Sequence, residues 1–505
     1  MINSCIKNII LFAVVVLTSF LLLACQSSPQ IRGERIISSM QNTDLINGFR
    51  SGAAVYEVVY LPQRQANIIK INGTNCHRDI LSFSLAEYSG KMIAINFSAD
   101  VMRIGSTGHL NWHMNNEPNY TPVTYIDNAA PGVWHQMRGM LVITPEDENS
   151  DFYLTTWRNN STNTIFYIDN LSVVIEEIII DASLPALHTK WSFPIGTLPG
   201  NAILPQMPQN QLLRHFNILT AIQGPMFILP DPWTANGAYR WQEGNWGRNI
   251  DEFLDFADEN NMKIRGHVLF WHQYTPESFF RGSGRNGWAT IDELYSRMEH
   301  HARTVFQKHR GRTEWWDVVN EAVAYNGRPH PAGAPNRITS FYSPYTLIME
   351  AAGKRGMDRY EWVLRAFQFA RQHADANGGQ NVKLYLNETN LDIFINAQNE
   401  FLRLLDYLIA NNAPIDGVGI QGHYYFNSPN VQAVSDLIDL ITIKINPLTG
   451  RNLTVQITEL DISLFAQSES NWENPSASRL RLSEQEYNER LSQQTVMYRQ
   501  LLLGT

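Results

Sequence analysis

WWDVVNE (Trp315 to Glu321) is an apolar run interrupted by a single Asp and closed by an amide and a carboxylate. It is too short for a core helix and lacks the alternation of a half-exposed strand. Such a run reads as a strand covered on both faces, the habit of parallel sheets. Six other runs have the same form: FPIG, FNILTAI and KIRGHVLF before it, and VKLYLNE, GVGIQGH and TVQITELDI after it.

Helical patterns lie between these runs. Ile250, Phe253, Leu254 and Ala257 fall at i, i+3, i+4 and i+7, as do Val363, Ala366, Phe367 and Ala370, and Phe401, Leu404, Leu405 and Leu408. That spacing places each set on one helix face. Strand–helix repetition predicts an α/β fold over residues 181–505, a (β/α)8 TIM barrel. The runs turn polar at their C-terminal ends, where His267, Asn320, Glu321, Asn387, Gln421, His423 and Glu459 stand. A barrel gathers those ends on one face, where reacting groups collect. The final strand run carries Glu459, and the chain stops at MYRQLLLGT. An eighth strand is absent from the pattern, so a C-terminally truncated barrel with an open edge, or one closed by another element, is expected.

Upstream the pattern changes. Residues 41–180 hold runs such as GMLVIT, DFYLTTWR and TIFYIDNLSVVI, separated by turn clusters PEDENSD and RNNSTN. β-branched and aromatic runs between polar turns predict an all-β sandwich domain. Residues 25–40 read as a linker. At the start, Lys7 precedes an apolar stretch, Ile9 to Leu23, ending in LLAC at Cys25. A short apolar segment at the extreme N-terminus reads as a leader, residues 1–24, rather than a membrane span.

Composition narrows the chemistry. The 505 residues exceed one ordinary domain, with 39 Lys+Arg against 48 Asp+Glu and no dense basic block. Nucleic acid is excluded as a partner, because phosphate binding needs clustered cations. Three cysteines, Cys5, Cys25 and Cys76, make neither a disulfide framework nor a Cys-rich metal site. Aromatic residues at 11% suit sugar faces, which pack on flat rings, and equally suit a large core.

Glu321 and Glu459 each end a predicted strand, with two strands between them. Groups three strands apart on a closed barrel face each other across its mouth. Two opposed carboxyls are what glycoside cleavage needs: one protonates the leaving oxygen, the other attacks the anomeric carbon or activates water. His267, His272 and His423 raise a rival reading, a metal site. They do not form a local ligand motif, and the acid pair accounts for the site without a metal or cofactor.

WDVVNEA (Trp316 to Ala322), ITELDIS (Ile457 to Ser463), RGHVLFWH (Arg265 to His272) and GIQGH (Gly419 to His423) together resemble glycoside hydrolase family 10, the endo-β-1,4-xylanases, over about residues 190–500. The resemblance implies a retaining xylanase with Glu321 as acid/base and Glu459 as nucleophile. It also implies that Asn320 bonds the substrate near its 2-hydroxyl, and that His423 holds the nucleophile and is oriented by Asp461. His267, Trp271 and Gln421 would line the sugar site nearest the bond. A retaining pair stands about 5–5.5 Å apart. LLAC resembles a bacterial lipobox, which implies lipidation at Cys25 and a membrane-anchored protein of the cell envelope. Gly132 to Ile175, with W-x-x-M-x-G-x-L-x-I at Trp134 and FYIDNLSVV, resembles the end of jelly-roll carbohydrate-binding modules. Trp112, Tyr120, Tyr125 and Trp157 would then be candidates for a stacking platform, with Trp134 a core residue.

The sequence departs from the family pattern in places. TAIQGPMF (Thr220 to Phe227) puts Ile222, Gln223 and Phe227 where T-x-E-N-x-M-K supplies polar grips for the next sugar. Tyr274 replaces a usual Gln, and NETN (Asn387 to Asn390) replaces N-D-Y-N. A surface glycan-binding protein without turnover, and a glycosidase for another β-linked glycan, therefore stand beside the xylanase reading.

Overall fold

The computed structural model describes, with interruptions, residues 56–177, 183–323, 343–466 and 484–503, together with two-residue strands at 13–14, 33–34 and 50–51. All seven predicted runs form strands of one parallel sheet: Ile195–Thr197, Ile218–Ile222, Lys263–Trp271, Trp315–Asn320, Lys383–Glu388, Gly417–Ile420 and Thr454–Ile457. They neighbour one another in chain order, as successive strand–helix units should. Trp315–Asn320 is buried at every residue, which explains its unbroken apolar run.

Helices cover the outside. Ile250–Glu259, Glu361–Ala376 and Ile395–Ala410 bury the three faces expected from spacing. Thr290 and Glu293 form a reciprocal capping box that starts the long helix Ile291–His309. Close strand approach needs glycine at Gly417, where a Cβ would overlap Thr454 O.

The sheet is curled and parallel. An eighth place in it is held by Ala13–Val14, which pairs in parallel with Ile195 and Gly196. Those two residues belong to the segment read as a leader. Helix Glu484–Leu503 follows the seventh strand and caps this side, with Trp191 Nε1 donating to Leu502 O at 3.0 Å.

The upstream segment is antiparallel β, as its sequence predicts. One sheet runs Trp134–Ile143, Ile93–Ile104, Thr164–Glu177, Ala66–Gly73 and Tyr56–Leu61, with Gly33–Glu34 on Thr164–Glu177. The other orders Arg50–Ser51, Leu81–Ser84, Asp151–Thr155, Leu110–Asn116 and Asn119–Ile126. Ile69, Ile71, Ile95, Met137 and Phe166 are buried. Trp134 is half-buried and covered by Arg64, whose guanidinium lies 4.1 Å from the ring centroid. The side chains of Trp112, Tyr120 and Tyr125, and all of Trp157, Cys25 and Cys76, lie outside the described residues. Among the described residues no helix is long and apolar enough to cross a membrane.

Candidate active site

The two glutamates stand one and two residues beyond the ends of their strands. Glu321 follows Trp315–Asn320 with φ of 54°, left-handed backbone that a non-glycine residue seldom adopts. Its N–H donates to Asn387 O at 3.0 Å, which ties this turn to the neighbouring strand. Glu459 follows Thr454–Ile457, and its N–H donates to Gln421 O at 2.8 Å.

Beneath them lies a charged floor. Arg265 and Asp317 are fully buried and ion-paired, and Arg265 Nε also donates to Gln456 Oε1 at 3.1 Å. Asp317 accepts from His267 Nδ1 at 2.8 Å. That same nitrogen lies 3.8 Å from Glu459 Oε1. Burial works against charge on His267, but Glu459 and Asp317 outweigh it and raise its pKa.

Glu459 is ringed by donors. Asn387 Nδ2 donates to Oε1 at 2.9 Å and His423 Nε2 lies 3.2 Å from Oε2. Burial alone would push this carboxyl up; the charge on His267 and the bond from His423 prevail and hold it down at about 2. His423 stands beside Asp461 because two short strands, His423–Tyr425 and Asp461–Ser463, pair in parallel with these residues in register. Its Nδ1 is 2.6 Å from Asp461 Oδ2. Burial opposes protonation of His423, yet Asp461 and Glu459 on its two sides raise its pKa well above the usual value. Both ring nitrogens thus face carboxylate oxygens, Asp461 on one side and Glu459 on the other.

Glu321 has a different shell. Oε2 accepts from Trp271 Nε1 at 3.0 Å and Gln273 Nε2 at 3.2 Å, and Oε1 accepts from Gln421 Nε2 at 2.9 Å. These donors are neutral. Gln421 Nε2 also donates to Asn320 Oδ1 at 3.1 Å, and Asn387 Nδ2 donates to the same oxygen at 2.9 Å. A continuous path thus joins Glu321 to Glu459 through Gln421, Asn320 and Asn387. Because Asn320 Oδ1 accepts two bonds, what Asn320 offers a substrate is its amide N–H. Asn387 is fixed from behind by Thr458 Oγ1 at 2.8 Å, and a Cβ at Gly419 would overlap it.

A third carboxyl lies behind Glu321. Glu388 is buried, accepting from Val323 N and Thr389 N at 3.0 Å each. Its burial, against those bonds, raises its pKa to about 8.

The family model described as "Glycosyl hydrolase family 10" matches residues 199–502. The chain belongs to glycosyl hydrolase family 10. It is 26% identical over 458 residues to "Endo-1,4-beta-xylanase C" of Paenibacillus barcinonensis, covering 83% of this chain and 39% of that one. It is 30% identical over 285 residues to "Beta-1,4-xylanase" of Dictyoglomus thermophilum, covering 56% of this chain and 67% of that one. Against a solved endo-1,4-beta-xylanase of Caldicellulosiruptor owensensis the identity is 27% and the TM-score 0.44, covering 61% and 80%. The chain spans 39% and 28% of the length of the Paenibacillus relative and of the "Endo-1,4-beta-xylanase A" of Thermoanaerobacterium saccharolyticum.

Every site residue expected in this family 10 chain lies in one network: Glu321, Glu459, Asn320, His423, Asp461, His267, Trp271 and Gln421. Sequence reading missed the parts played by Arg265, Asp317, Gln273 and Glu388, and named Asn387 only as a strand end. Arg265 and Asp317 had a signal: each is a charge in the middle of a run read as a buried strand. Among the departures, Gln223 is buried, and its backbone N–H donates to His267 O at 2.7 Å. Ile222 stands level with His267 on the adjacent strand. Tyr274 and Phe227 lie outside the described residues. Among the described residues no group of three or more His, Cys, Asp or Glu side chains is placed to hold a metal ion.

Proposed function

We propose that the chain is a retaining endo-1,4-β-xylanase. The observation that carries this is the contrast between the two linked glutamates. Glu459 is held ionised by positive partners, whereas the side chains that bond Glu321 are neutral donors. An ionised carboxylate suits nucleophilic attack, and a carboxyl with neutral neighbours suits proton exchange.

Glu321 gives its proton to the glycosidic oxygen as Glu459 attacks the anomeric carbon. The C–O bond to the leaving sugar breaks and a glycosyl ester of Glu459 forms. Glu321, now ionised, takes a proton from water, whose oxygen displaces Glu459. Two inversions give net retention. Reducing-sugar release from xylan by the wild type, abolished in Glu459→Ala, is the test. No wild-type release, or equal release by the variant, overturns the reading.

One observation favours a second reading, a glycosidase for a related β-glycan. Gln223 is buried and Ile222 is apolar, so the next sugar meets fewer polar groups here. A panel of β-linked oligosaccharides separates the two. We further propose that residues 41–180 form a jelly-roll carbohydrate-binding module. Antiparallel pairing of Trp134–Ile143 and Thr164–Glu177 with Ile93–Ile104 supports this. Affinity electrophoresis of that segment in xylan gels tests it. The proposed setting is the cell envelope, with the lipid on Cys25 as membrane anchor; a Cys25→Ser variant released from membranes is the expected outcome.

A further inference from the structure

Glu321 has two oxygens with unequal surroundings. Each carboxylate oxygen has two lone-pair directions. Oε2 accepts two N–H groups, from Trp271 and Gln273, while Oε1 accepts one, from Gln421. Trp271 can only donate, since an indole N–H has no acceptor form. Gln421 is fixed because the same nitrogen bonds Asn320 and Glu321. Gln273 is different. Among the described residues its side chain has Glu321 as its sole hydrogen-bond partner, and it comes from the loop just after Lys263–Trp271.

We infer that Gln273 is a positioning residue that directs the catalytic proton to Oε1 of Glu321 by completing the hydrogen-bond shell of Oε2. With both directions at Oε2 engaged, a proton there would displace an N–H donor. Oε1 keeps one direction open, and the proton sits there. Remove Gln273 and Oε2 opens, so the proton is shared between an oxygen placed to deliver it and one that is not. The inference rests on Glu321 acting as the acid of a glycosidase.

A role in proton delivery has a signature that a packing role lacks. A leaving group that departs as a stable anion needs little protonation, whereas a poor one depends on the acid. The experiment compares wild type with Gln273→Met, which keeps the length of the side chain and lacks the donor, and with Gln273→Ala. kcat/KM is measured on aryl β-xylobiosides of graded leaving-group acidity, because it reports the first bond cleavage. Both variants are expected to lose about ten-fold on the phenyl substrate and less than about two-fold on the dinitrophenyl one, with unchanged melting temperature. An equal fall on every substrate indicates a packing role and overturns the inference, as does full activity on the phenyl substrate. A wild type inactive even on the dinitrophenyl substrate overturns the xylanase reading and this one together. Wild-type turnover with a uniform loss in the variants overturns this one alone.

Discussion

Asn387 Nδ2 lies 2.9 Å from Glu459 Oε1 and donates equally to Asn320 Oδ1, so one amide orients Glu459 and the residue beside Glu321. Replacing it with Ala removes both bonds and leaves Thr458 Oγ1 with only Ile420 O to donate to, at 3.3 Å. Loss of one such aligned donor costs on the order of 10²-fold. Asn387→Ala is expected to lose about that in kcat on xylan or an aryl xylobioside, with KM nearly constant. A loss confined to KM would show that Asn387 holds substrate instead.

The two glutamates are separable by external nucleophiles. In Glu459→Ala the proposed attacking group is gone, and turnover is expected to fall at least ~10³-fold. Azide can then enter from the vacated side and give the inverted glycosyl azide. In Glu321→Ala an activated substrate still forms the ester, and azide gives the retained product. NMR of the product anomers reads this directly. The exchanged pattern, a retained azide from Glu459→Ala and an inverted one from Glu321→Ala, would mean the roles are wrongly assigned.

With Glu459 as the proposed nucleophile, the acid limb of activity follows its carboxyl, which must be ionised to attack. Its carboxyl sits at about 2 in the folded state, so kcat/KM is expected to hold down to low pH for as long as the fold survives. His423→Asn removes a positive charge that helps keep it there. The limb then moves up toward the ordinary carboxylate range. A pH profile of the variant with an unmoved limb would detach His423 from the nucleophile.

Glu388 makes a prediction about stability with the opposite sign from most carboxyls. Its folded pKa of about 8 lies above the unfolded value of 4.5. Between those two pH values the folded chain holds a proton that the unfolded chain has released. Stability from this group is therefore full below 4.5 and declines as pH rises toward 8. Glu388→Gln flattens that part of the curve, at the cost of one backbone hydrogen bond. Urea melts of both proteins from pH 4.5 to 9 check the slope. Parallel curves would place the titrating group elsewhere.

Much of this was legible in the residues. Trp315–Asn320 and its six companions could be read as buried parallel strands because parallel sheets hide both faces and so erase alternation. The helices could be read because Ile250 to Ala257 and their equivalents show one face to the sheet. Glu321 and Glu459 could be paired because strand ends meet at a barrel mouth. Gln273 could not be found this way. It lies in a loop, where no periodicity says which way a side chain turns, and its bond to Glu321 depends on loop shape. Glu388 was hidden for another reason. It ends a strand as Glu321 and Glu459 follow theirs, and only burial tells that it faces inward. The seat at Ala13–Val14 was equally out of reach, since pairing between distant segments leaves no local pattern.

The Arg265–Asp317 pair has a consequence for engineering. These two charges fill the interior at the level where a barrel is ordinarily packed with branched aliphatic side chains. Replacing such a pair with well-packed apolar residues can make a protein more stable. Here it would take away the anchor of His267, and with it part of the field acting on Glu459. A thermostable redesign that greases this layer should trade reaction rate for heat resistance, and libraries selected for melting temperature alone should drift toward inert folds.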